Sequence, residues 1–149
     1  MTAPISAGAG FLLAVLWFDL MFDVQVRRHR EGDLPEEVLA SIAGYYRRVT
    51  TAARPMNRLV AGVMLATLAA IVVQIARGDE PVWVGWASLG LVGVAVALAA
   101  AHTVPAAVRL GGRRDPPDAQ SRLARSILRD HVFCFTAIAS TLVVQLGFG

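Results

Sequence analysis

Asp19 and Asp23 lie four residues apart in Leu16-Trp17-Phe18-Asp19-Leu20-Met21-Phe22-Asp23-Val24-Gln25, a stretch otherwise fit for a membrane. A helix turns about 100° per residue, so positions i and i+4 share one face. An acid at mid-membrane costs roughly 2.5–3.5 kcal/mol on insertion scales, which turns that face toward a bundle interior. Carboxylates withdrawn from water exchange protons nearer neutrality, and they also ligate metals. Two histidines can join them: His102, in His102-Thr103-Val104-Pro105, and His131, beside Asp130. Asp19, Asp23, His102 and His131 are therefore the candidate catalytic acid–base groups. The same four are an alternative metal-ligand set, and carboxylate with imidazole suits iron, manganese or zinc. No short metal-ligand motif is present, and glutamate is absent from the apolar spans. Arg54 and Asn57 are candidate substrate-binding groups that orient a substrate or stabilise developing negative charge. Asp130 is a third, and it also stands next to His131, where a carboxylate orients and charges an imidazole. His29 reads as solvated, and Cys134 as a small buried apolar residue.

The elements that must position these groups follow from hydropathy. The chain has 149 residues and is 56% hydrophobic, too apolar for a soluble domain of this length, and one domain is the default. Apolar segments cover about residues 5–26, 59–76, 82–108 and 132–148, each long enough to cross a hydrocarbon core of about 30 Å. All 14 basic residues are arginine. Seven lie in 27–58, one in 77–81 and six in 109–129. The positive-inside rule makes the first and third connections cytoplasmic and puts both termini outside, in a multi-pass protein of the inner membrane. The net charge of +3 is thus a topology signal rather than a nucleic-acid footprint, since the arginines flank spans and no recognition fold is present. The single cysteine excludes an internal disulfide and a cysteine-cluster metal motif. Residues 1–10 carry no basic n-region, so a cleaved signal peptide is not expected.

The expected fold is an all-α integral membrane four-helix bundle with an additional amphipathic interfacial helix in the first cytoplasmic connection. Asp33, Pro35 and Glu36 signal that helix's start. Val38, Ile42, Tyr45 and Val49 then recur at helical spacing and lead into Tyr45-Tyr46-Arg47-Arg48, which suits the inner membrane surface. A solvated helical arm is the alternative. Gly62, Ala66 and Ala70, and Gly93, Ala97 and Ala101, form small-residue faces that let helices approach in lipid, and a homo-oligomer is expected through them. Pro105 bends the third span. Asp130, Cys134, Ala137, Thr141 and Gln145 make a polar stripe facing the bundle interior.

Antiparallel spans bring Asp19, Asp23, Arg54, Asn57, Arg58, His102, Asp130, His131 and Cys134 to similar depth at the cytoplasmic side. The outer half holds no ionisable residue, and it contributes Gln74, Thr141 and Gln145 with an aromatic belt of Trp83 and Trp86. This one-sided site predicts a membrane-embedded enzyme or binding protein for a lipophilic small molecule or lipid. The alternative is a non-catalytic subunit or scaffold in which Arg54 and Arg58 neutralise the acids. A small proton-coupled transporter fits less well, because alternating access calls for polar residues in both membrane halves.

The span spacing, the Arg54/Asn57 pair leading the second span, Thr103 and Pro105 ending the third, and Arg129 with His131 opening the fourth give a resemblance. The chain resembles the small four-span membrane proteins grouped with anthrone oxygenases. That resemblance implies cofactor-poor oxidation of lipophilic, polyketide-like aromatics, and hence an oxidoreductase of oxygenase type. The doubled aspartate of the first span is not part of that family's pattern.

Overall fold

In hydrocarbon every backbone N–H and C=O must be satisfied within its own segment, and the four apolar stretches accordingly fold as long helices. The computed structural model describes residues 2–149 apart from positions 30 and 53, and the backbone but not the side chain of Arg54. Helix α1 (Thr2–Asp23) tightens into a 3-10 turn over Val24–Arg28. Helix α2 (Glu36–Tyr46) widens into a π turn over Arg47–Ala52, and α3 spans Arg54–Ala76. Helix α4 (Val82–Leu98) continues through a π turn, Ala99–Thr103, into α5 (Val104–Gly111), and α6 spans Pro117–Phe148. No strand occurs among the described residues.

Four stretches are long and apolar enough to cross a membrane: Thr2–Arg28, Pro55–Ala76, Val82–Gly111 and Pro117–Phe148. The molecule is an all-α, multi-pass membrane bundle. Its 32-residue α6 extends about 48 Å at 1.5 Å per residue, well beyond a core of about 30 Å. The excess projects at the arginine-rich end, over Arg122, Arg125 and Arg129. Pro105 costs the third span a backbone donor, and the π turn just before it absorbs the disruption without ending the helix.

Two apolar cores result. The membrane core joins Ile5, Ala9 and Leu12 of α1 to Ile71, Val92, Ala95, Cys134, Ala137 and Ile138. The second core lies at the arginine-rich end. There Leu39, Ile42, Ala43 and Tyr46 of α2 pack on Ala106, Ala107 and Leu110 of α5 and on Ala124 and Ile127 of α6. The apolar face of α2 that the sequence spacing marks is therefore covered by protein rather than laid on lipid. Val38, Tyr45 and Val49 pack against the same cluster. Each large aliphatic side chain removed from water there is worth at most about 1.5–3 kcal/mol. Leu34 N–H donates to Ser121 Oγ at 2.9 Å, and Arg113 pairs with Glu36 at 2.7 Å, which holds the first connection on α6 and α5.

At the opposite end, Gln145 Nε2 donates both its hydrogens, to Gln74 Oε1 and to Ser88 Oγ, each at 2.9 Å. That network pins α3, α4 and α6 together. The buried side chains of α3, Thr67, Ile71 and Gln74, all lie in its second half. Its first half packs less deeply, with Val60, Val63 and Met64 half-buried against the membrane core.

Close helix approaches occur at Gly8, Gly85 and Gly111. A Cβ on Gly8 would collide with Thr67 Oγ1, and one on Gly111 would sit 2.8 Å from the backbone nitrogen of Arg47. Gly62, Ala66, Ala97 and Ala101 lie exposed on the outside of the bundle. The Gly111→Ala variant must push α5 away from α2 and should lose about 1–3 kcal/mol in detergent thermal unfolding. Gly62→Ala meets nothing within 4 Å and should be neutral or slightly stabilising. Equal stability of the two variants would contradict this packing.

Candidate functional site

The inward face of α1 delivers Asp19 and Asp23, α2 brings Tyr45 and Tyr46 over from the second core, and α6 brings His131. Asp23 is fully buried. Its Oδ1 accepts the Tyr46 hydroxyl at 2.6 Å, and its Oδ2 meets His131 Nδ1 at 2.7 Å. An ionised carboxylate only accepts, so this pairing puts a hydrogen on Nδ1. The other ring nitrogen, Nε2, is left 3.8 Å from Asp19 Oδ2. Asp19 Oδ1 accepts the Tyr45 hydroxyl at 2.7 Å. Tyr45 is further held by Phe22, stacked at a 4.0 Å centroid distance.

Burial, and then the neighbouring carboxylates, push both phenols above the ordinary tyrosine range. Tyr45 and Tyr46 thus remain protonated and act as fixed donors to the two acids.

Asp19 and His131 open onto a cavity of about 450 Å³, within the range of small-molecule sites. Its walls are apolar over most of their extent, with Phe11, Leu12, Val15 and Leu16 from α1 and Val60 and Met64 from the first half of α3. Val96, Ala99, Cys134 and Ile138 close the other side. Polar groups gather at one end, where Asp19, Tyr45, Tyr46 and His131 converge. The site is a greasy chamber with an acid–histidine couple at its base.

Three of the four sequence-predicted acid–base groups meet here. The fourth, His102, does not: it is exposed, and its Nδ1 lies 2.6 Å from Asp130 Oδ2. Thr103 Oγ1 donates to the same oxygen at 2.9 Å. Asp130 is therefore occupied by His102 and Thr103, and the carboxylate that orients His131 is Asp23. Adjacent residues on a helix diverge by about 100°, so Asp130 and His131 address different neighbours. Asn57 lines the cavity and donates to the Thr50 carbonyl at 3.2 Å. The Arg54 side chain lies outside the described residues. Arg58 is exposed and joins neither acid in an ion pair. The four-ligand metal set is not assembled around one point, since His102 sits in a separate pair and both oxygens of Asp23 are engaged. Among the described residues no group of three or more His, Cys, Asp and Glu side chains is placed to hold a metal ion.

Tyr45 and Tyr46 are the site residues that sequence reasoning places elsewhere, on the membrane surface. The one available signal is two phenols in a row on an amphipathic helix near the depth of two buried acids. Compared with family models, curated proteins and solved structures, the chain gives no match in any of the three.

Tyr46→Phe leaves a fully buried carboxylate short of one donor and should cost about 1–3 kcal/mol in thermal unfolding. Tyr45→Phe, at a partly buried bond, should cost less. Because both phenols titrate higher folded than unfolded, their contribution is intact below about pH 10 and lost as pH rises beyond it. Wild type should therefore lose stability steeply above about pH 10, and the double Phe variant less so. Parallel alkaline profiles would contradict the two Tyr–Asp bonds.

Proposed function

We propose that the protein binds a lipophilic small molecule in the cavity behind α3 and that His131 moves a proton to or from it. The observation that carries this is the chain Tyr46–Asp23–His131, which holds Nδ1 in a hydrogen bond and presents Nε2 to an apolar chamber. An imidazole so held can take a proton at Nε2 from an O–H or an activated C–H of the guest. The resulting imidazolium is stabilised by Asp23 on one side and Asp19 on the other. Returning the proton to a neighbouring atom completes a balanced tautomerisation with no further reactant. General acid–base assistance of this kind is worth typically 10²–10⁴-fold.

Entry is supported by the first half of α3, where Met56 and Leu59 are about half exposed and Met56 lines the cavity. A guest dissolved in the bilayer can enter sideways without crossing water. The resemblance to anthrone oxygenases implies polyketide-like aromatics among such guests, and deprotonation is the step of such chemistry that these residues supply. A transporter is disfavoured by the apolar membrane core between this site and the Gln74–Gln145–Ser88 network, which is bonded within itself. A purely structural role is favoured by one observation: the Tyr–Asp bonds pin α2 to α1.

Mass spectrometry of protein purified in mild detergent should find a lipophile bound to wild type and to His131→Gln, and lost from the cavity-filling Val60→Trp. In D₂O, wild type should catalyse deuterium exchange into that molecule, and His131→Gln should slow it by about 10²–10⁴-fold. Equal exchange in both, or equal lipophile content in Val60→Trp, would sink the proposal. Loss of folding in His131→Gln without exchange in wild type would favour the structural role.

A further inference from the structure

A second concavity, of about 700 Å³, adjoins the first at the arginine-rich end. It is lined by Arg47, Arg48, Ser41, Thr51, Phe22 and Tyr45, with Gly44 and Ala52. Tyr45 lines both spaces, with its hydroxyl on Asp19. Arg109, Arg113 and Arg122 each bond a carboxylate at 2.7 Å. Arg47 and Arg48, like Arg27, Arg28, Arg58, Arg114 and Arg129, have no carboxylate partner among the described residues, but of these only Arg47 and Arg48 line this concavity. Two guanidinium groups with unused donors, beside the hydroxyls of Ser41 and Thr51, match the oxygens of a phosphate. Their place in a groove that shares the Tyr45 wall with an apolar cavity fits an amphiphile rather than a free ion.

We infer that the Arg47/Arg48 groove binds the phosphate headgroup of a single-chain amphiphile whose apolar chain occupies the adjoining cavity. This rests on the cavity being a lipophile site, and it names the class of molecule held there. The headgroup stays at the arginines and the chain passes Tyr45 toward Asp19 and His131, which act on an amphiphile carrying an O–H or an activated C–H at that depth. The wide π turn over Arg47–Ala52 carries both arginines at the point where α2 leaves the second core.

The test is native mass spectrometry of the whole protein in neutral detergent, titrated with oleoyl lysophosphatidic acid, with monooleoylglycerol, and with inorganic phosphate. Lysophosphatidic acid should bind at least tenfold more tightly than either of the others. In the Arg47→Gln/Arg48→Gln variant that advantage over monooleoylglycerol should vanish, while monooleoylglycerol binding stays as in wild type. Val60→Trp should weaken both oleoyl compounds. Inorganic phosphate binding as tightly as lysophosphatidic acid would mean a free-anion site and overturn the inference. Equal binding of the two oleoyl compounds to wild type would overturn it while leaving the lipophile cavity standing. Failure of both oleoyl compounds to respond to Val60→Trp would overturn the cavity reading and this one together.

Discussion

A carboxylate with no access to water governs this structure. Asp23 is fully buried at the inner end of α1, and nothing but protein can satisfy its two oxygens. Tyr46 takes one and His131 the other, and these come from different helices that must both be in place. The cost of leaving such a group unpaired, several kcal/mol, dwarfs the gain from any single contact on the lipid face. The bond to Tyr46 draws α2 down beside the spans, and the bond to His131 fixes the rotation of α6. Asp19, one turn earlier, repeats the arrangement with Tyr45 but keeps an oxygen for the cavity.

The rest of the architecture can be understood as support for that pairing. The core of α2, α5 and α6 holds the tyrosines at the right depth, and Gly111 lets α5 approach close enough for it to form. At the far end the Gln74–Gln145–Ser88 network clamps α3, α4 and α6, while the first half of α3 is only half-buried, and the apolar cavity lies beside it.

Hydropathy alone placed the four spans, because a helix in lipid has no alternative conformation and its length is set by the membrane. The aspartate pair was equally legible: two acids on one face of an apolar helix can only turn inward. Of the stripe Asp130, Cys134, Ala137, Thr141 and Gln145 on α6, the last four are buried as their spacing requires, while Asp130 is only partly buried, in its pair with His102. What the sequence concealed was pairing across helices. The i+1 neighbour suggested Asp130 as the orienter of His131, yet adjacent helical residues point apart, and Asp130 serves His102 and Thr103 instead. The amphipathic face of α2 was visible, but periodicity does not say whether lipid or protein will cover it. Because protein covers it, Tyr45 and Tyr46 became site residues that spacing could not reveal.

Asp23 holds a hydrogen on His131 Nδ1 and leaves Nε2 for the cavity. Nitrogen-15 NMR of histidine-labelled protein in lipid nanodiscs reads the tautomer directly, with the His131→Gln variant identifying the signal. At a pH where the ring is neutral, Nδ1 should be protonated and Nε2 unprotonated, and Asp23→Asn should disturb this preference. A neutral His131 protonated at Nε2, unchanged in Asp23→Asn, would contradict it.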